Sequence, residues 1–464
     1  MRSVVPSLEV RAVASLMRRR ELSPRGLLAG YRGVRDVSGL DARDPRPAVG
    51  FGVRQARVAA GALHRAADSV RDPERGVIRP LLKDRVPPSL LPAAKRLHVR
   101  TMPPGRRRAL VAGRVRAQGG WCRALGSPLY ATLLERAAGD VEAAGVCWRV
   151  LEDHPPTAPG ADDALPLRLM GAVHRLVLDG RAPALARHYP STGGRPDGDR
   201  TWKAFQETVA DHREALSGSL DRPVQTNEVS RCAALIGGFL LAASATGRPL
   251  RVLEVGASAG LNLGWDRYRY EARHATWGDP LSPVRFVDAF ADEVSPPLEL
   301  AAHVAERRGC DASPLDPRSA EDRLTLESFV WPDQMRRMEL LRSALEVAQG
   351  TNIAVERAGA PEWIEARLCE PAAGMVTVVF HSFVMQYLDR AGRDRFEAVL
   401  REAGARATEA APLAWLRMEW GAGEGHVHLT RWPGGHTELI ATAHNQGSAV
   451  RWLAGSPFRG ERAA

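Results

Sequence analysis

The segment Leu250 to Val255 (LRVLEV) runs directly into Gly256-Ala257-Ser258-Ala259-Gly260, and no other stretch limits the possible folds as strongly. A short apolar run stopped by glycines reads as a buried strand, and small residues in the turn let its backbone come close to a ligand or a neighbouring element. The pattern then recurs. Strand-like runs at Asn352 to Glu356 and Val376 to Phe380 (VTVVF) alternate with helical periodicity over Ser319 to Gln349, Glu362 to Leu368 and Arg390 to Ala403. Such alternation predicts an α/β fold built on a parallel sheet. Tyr268 to Phe290, around Gly278-Asp279-Pro280, reads as an inserted hairpin. The β-rich texture of Pro412 to Glu419, His426 to Trp432 and Glu438 to Trp452 predicts an antiparallel edge turning at Trp432-Pro433-Gly434-Gly435.

Upstream of this region the composition changes twice. Residues 106–246 read as a mostly helical subdomain, residues 247–458 as the α/β domain, and residues 1–105 as a basic head and linker. The formal charge of the 464-residue chain is +10, but residues 1–120 hold 26 Lys and Arg against 9 Asp and Glu. The remainder is therefore net acidic and would repel phosphate, which excludes a uniformly basic nucleic-acid binder. Five scattered cysteines without a C-x-x-C pair argue against a zinc site or a disulfide framework and for a reducing compartment. The longest apolar run, Ala233 to Thr246, is short of the roughly 20 residues needed to cross a bilayer. A cytoplasmic protein acting on a small molecule, without nucleic-acid, membrane or metal partners, is the expectation.

The chemistry-bearing residues gather around the glycine turn. Glu254 precedes Gly256, Ser258, Gly260 and Asn262, and a following helix would offer positive potential to a ligand. The acid–glycine pattern resembles motif I of class I S-adenosylmethionine-dependent methyltransferases, whose turn packs on the methionine part of the cofactor. That resemblance implies a Rossmann-like, methyltransferase-type sheet and S-adenosylmethionine as cofactor. It also makes Asp311, in Gly309-Cys310-Asp311, the match for the acid that binds the cofactor's ribose. His381 and Tyr387, in Phe380-His381-Ser382-Phe383-Val384-Met385-Gln386-Tyr387, fall at the end of the fourth strand, where a base and an orienting phenol would face substrate, flanked by Ser382 and Gln386. Gln225, Asn227, Glu228 and Arg231 either line the pocket or open the next helix. Gly256 to Gly260 is also a literal G-x-S-x-G, so a serine hydrolase with Ser258, Asp311 and His381 is the competing activity. A binding protein that keeps the fold without the chemistry is the third reading.

Two further resemblances follow. Residues from about Ala109 to Leu453 resemble the bacterial domain-of-unknown-function 2332 family through Arg123-Ala124-Leu125-Gly126-Ser127-Pro128-Leu129-Tyr130, His188-Tyr189-Pro190, Gln225-Thr226-Asn227-Glu228, the glycine turn, Trp331-Pro332-Asp333-Gln334 and Trp432-Pro433-Gly434-Gly435. The head, through Arg20-Glu21-Leu22-Ser23-Pro24 and Pro80-Leu81-Leu82-Lys83-Asp84, resembles the start of amidase-signature hydrolases. Lys83 matches that family's catalytic lysine, but the serine-bearing loop is missing, so the resemblance implies a remnant unable to form an acyl-enzyme.

Overall fold

The computed structural model describes residues 103–154, 164–291 and 294–453. The amidase-like segment with Lys83 lies outside them. The chain begins with helices α1 (Pro104–Ala124) and α2 (Pro128–Glu142). Between them Gly126 takes φ +80°, and the Ser127 hydroxyl caps α2 by accepting from the Tyr130 amide. Then follow α3 (Val146–Leu151), α4 (Leu165–Leu178), α5 (Pro183–Ala186), α6 (Gly198–Asp211) and α7 (Arg213–Ser219). Leu169, Val173, Leu176 and Val177 on one stripe of α4 bury against Tyr130, Leu134 and Phe205 to make the core of this layer.

Helix α8 (Arg231–Ser244) is apolar nearly all round because it is sandwiched. After it come β1 (Leu250–Val255), β2 (Arg269–Glu271), β3 (Thr276–Trp277), β4 (Arg285–Phe286) and β5 (Val304–Asp311). Next are α9 (Ala320–Phe329), α10 (Met335–Gln349), β6 (Ala354–Arg357), α11 (Ala360–Arg367), β7 (Val376–Ser382) and α12 (Arg390–Arg406). Strands β8 (Leu413–Gly421), β9 (Glu424–Trp432), β10 (His436–Ala443) and β11 (Arg451–Trp452) close the described chain.

Eight strands form one sheet in the order β11-β10-β9-β8-β7-β1-β5-β6. From β6 to β8 all pairs are parallel, and β8 to β11 continue as an antiparallel meander. The fold is thus the expected α/β arrangement, a mostly parallel sheet with an antiparallel edge. Alternation decides which residues face which layer. Leu250, Val252 and Phe380 pack under α8, whereas Leu253, Val255 and Val379 pack under α11 and α12 with Phe396 and Leu400.

Two local expectations are corrected. The inserted hairpin is a three-stranded sheet, with β2 antiparallel to β3 and parallel to β4, seated on the stacked pair Trp265 and Phe239 at 4.3 Å. The long helix over Ser319 to Gln349 is two helices, since Pro332 removes a backbone donor and biases Trp331 away from helical geometry. The resulting corner joins the two layers. Asp333 accepts from the Ser127 hydroxyl at 2.6 Å and the Leu129 amide at 2.9 Å, and Gln334 donates to the Leu125 carbonyl. Nearby, the buried His174 bonds the Ser328 carbonyl at 3.1 Å and the Ser191 hydroxyl at 2.8 Å, and burial lowers its pKa to about 4.

Candidate functional site

The chain leaves β1 toward β5 on one side and returns as β7 on the other. The order therefore reverses at β1, and the carboxyl ends of β1 and β7 are the edge at which open α/β sheets receive ligands. The turn after β1 lies at this point. Gly256, Ser258 and Gly260 take φ of +71°, +54° and +75°, a conformation that serine adopts only at a cost.

Every backbone amide of the turn is engaged by the protein. Gly256 and Ala257 donate to the Cys310 carbonyl, and Gly260 donates to Ala257. Ser258 donates to Asp311 Oδ2 at 3.0 Å, while Ala259 and Leu261 share Asn227 Oδ1 at 3.2 and 3.0 Å. The Ser258 hydroxyl donates to Gln225 Oε1 at 2.7 Å, and the Gln225 amide in turn reaches the Ser313 carbonyl. Gln225 and Asn227 thus brace the turn from behind. Glu228, also buried, holds Arg337 with a 2.8 Å hydrogen bond.

The expected α-helix after the turn is absent: Leu261–Arg267 is a seven-residue 3-10 segment leading into β2. With no long helix and no open amide, this turn is not a phosphate cradle. Both glycines also have packing reasons. A Cβ on Gly256 would stand 2.6 Å from Val384 Cγ2, and one on Gly260 would stand 2.5 Å from Ile353 Cγ2.

Two acids frame the turn. Asp311 ends β5, where Oδ1 accepts from the Ser313 amide at 2.7 Å while Oδ2 takes Ser258. Glu254 is 3% exposed on the α8 side; burial pushes its pKa well up, opposed by a hydrogen bond with Asn262. Its Oε2 has no partner. Burial therefore favours the neutral form of this carboxyl over the charged one.

His381 projects from the opposite face. Its Nδ1 pairs with Glu419 Oε1 at 2.9 Å, and Nε2 accepts from the Trp415 indole at 3.0 Å. Fully buried, it offers no nitrogen to the carboxyl edge. Ser258, Asp311 and His381 consequently do not assemble as a triad. The carboxylate of Glu419 also accepts from the Val384 and Met385 amides at 2.8 and 3.2 Å, pinning the loop after β7. On that loop Phe383 takes φ +55°, Gln386 bonds back to the Phe383 carbonyl, and Tyr387 is 76% exposed. Ser382 accepts from Arg231 at 3.2 Å.

The sequence singled out neither Glu419 nor Asn445, whose carbonyl receives Arg231. Strand alternation was the available signal for the first, since it puts Trp415, Arg417 and Glu419 on the face that His381 shares.

The geometry defines an α/β protein whose polar constellation sits at the carboxyl edge of a mostly parallel eight-stranded sheet. The sequence profile of DUF2332, described as an uncharacterized protein conserved in bacteria, matches residues 112–452, and the chain belongs to this family. No curated protein and no solved structure matches it. Among the described residues no helix is long and apolar enough to cross a membrane.

Proposed function

We propose that this chain binds S-adenosylmethionine at the β1–β5 end of the carboxyl edge and transfers its methyl group to a small acceptor held at the β7 end. The observation that carries this reading is an amide-saturated turn beside a strand-end aspartate. A dinucleotide needs open amides for its pyrophosphate, and this turn has none to offer. A cofactor without phosphate needs instead a packing surface and an acceptor for its ribose. Ala257 and Ala259 keep the turn small, and Asp311, with one backbone donor on each oxygen, retains lone pairs for a diol. The chemistry of Asp311 suits the ribose of this group, while Ala257 and Ala259 are fully buried, so Val384, packed on Gly256, must yield before the turn offers it a surface.

When bound, the cofactor supplies an electrophilic methyl group. The protein's part is alignment, with Glu254 and Asn262 supporting the turn from below and Tyr387 at the acceptor side. His381 has no role as base in this reading, because both of its nitrogens are spent on Glu419 and Trp415.

Calorimetry with S-adenosylhomocysteine tests it. We expect saturable binding to the folded chain that falls about tenfold or more in Asp311→Asn, the loss of a hydrogen bond to a charged group. The packing of Val384 on Gly256 favours the second reading, a domain that keeps the sheet without the chemistry. That reading expects no binding at all.

A further inference from the structure

Arg231, the first residue of α8, reaches the β7 end of the carboxyl edge and is unlike the other cations around it. Its Nε donates to the Asn445 carbonyl at 3.1 Å, and its Nη1 donates to the Ser382 hydroxyl and carbonyl. All of these acceptors are neutral. The guanidinium also lies 4.7 Å from the Phe383 ring centroid. Among the described residues, no carboxylate stands within ion-pair distance of it. The acids nearest in its field are already used: Glu228 by Arg337, and Glu419 by His381 and two backbone amides. Arg231 thus has neutral hydrogen-bond acceptors, a ring contact and the longer-range field of Glu228 and Glu419, but no direct ion pair among the described residues, and a correctly placed anion would supply one.

The surroundings say what that anion is attached to. Phe383 sits at 4.8 Å from Trp420, which is 50% exposed at the end of β8, and Tyr387 is exposed on the same loop as Phe383. Large exposed aromatics at a strand's carboxyl end are a surface for a flat apolar group. The Oδ1 atom of Asn445, the residue whose carbonyl receives Arg231, is buried without a partner.

We propose that Arg231 anchors a carboxylate, carried by an acceptor whose aromatic body rests on Trp420 and Tyr387. This deepens the reading of the carboxyl edge as a ligand site and does not depend on which cofactor it takes. The same chemistry has a second source, the amino-acid carboxylate of the cofactor.

The experiment separates the two. Ligand-observed NMR on the full chain compares benzoate with neutral benzamide, for the native protein and for Arg231→Gln, with thermal melting as the check on folding. In parallel, calorimetry compares S-adenosylhomocysteine with 5′-methylthioadenosine, which lacks the amino-acid part. Benzoate binding roughly tenfold or more above benzamide, abolished in R231Q, supports the acceptor assignment; the native comparison alone decides if R231Q does not fold. A loss of S-adenosylhomocysteine but not of methylthioadenosine binding in R231Q supports carboxylate anchoring with the cofactor as its source. Benzoate and benzamide behaving alike, together with nucleoside binding that R231Q leaves unchanged, overturns the proposal. Should benzoate bind and neither nucleoside do so, the cofactor reading falls while the carboxylate site stands.

Discussion

Glu254 shows how a single side chain acquires a role that its identity does not announce. An acid before a glycine turn suggests a charge for a ligand, yet burial on the α8 side raises its pKa and so favours the proton-bearing form. The folded state therefore keeps a proton that the unfolded chain releases above its ordinary carboxyl pKa of about 4.3. Above that pKa this group makes stability fall as pH rises, by up to about 1.4 kcal/mol per pH unit, until the raised pKa of the folded state is passed. Glu254→Gln keeps the shape and removes the titration, so urea unfolding at several pH values between 5 and 8 should show a flatter profile for the variant. An unchanged slope would mean that Glu254 is ionised in the fold. The opposite case is His381, whose polar neighbours Trp415 and Glu419 lie 34 and 38 residues away in sequence. No local pattern could have paired them, so a base-like histidine at a strand end becomes a core residue only once the sheet is assembled.

Elements were legible where they are locally determined. The bounds of β1 follow from LRVLEV meeting glycine, and the parallel order follows from strand–helix alternation. The helix break at Pro332 was half legible, because Trp331-Pro332-Asp333-Gln334 reads as lying either within one helix or between two. The substitution of a 3-10 segment for the helix after the turn arises from tertiary demand, as Tyr268 and Tyr270 tie back to the Leu261 and Trp265 carbonyls. The brace behind the turn was half legible: Gln225 to Glu228 stood out as polar, but only their arrangement against Ser258, Ala259 and Leu261 gives them a purpose. Asn227→Ala strands two buried amides and should cost about 2–3 kcal/mol in chemical denaturation, with native-like secondary structure. Gly256→Ala combines a clash on Val384 with a residue forced to φ +71°, and should cost at least about 2 kcal/mol. Adding Val384→Ala should return part of that loss, and strict additivity in the double variant would show that the two do not touch.

At the scale of the molecule, a helical layer and a sheet are locked together through Asp333, Gln334 and the His174 site, leaving the carboxyl edge as the region where polar and aromatic side chains meet. The α/β class could be read in advance because it is written in periodicity. Function could not, because the turn's openness depends on which acceptors fold against it. The edge is a ligand site only if something binds there, and the brace, the strand-end Asp311 and the amide-saturated turn are what the proposal of S-adenosylmethionine rests on. Titration of the full chain with S-adenosylhomocysteine in a calorimeter is the direct test. One saturable site, weakened about tenfold or more by Asp311→Asn, is the predicted result; no heat of binding from a chain that melts cooperatively would contradict it.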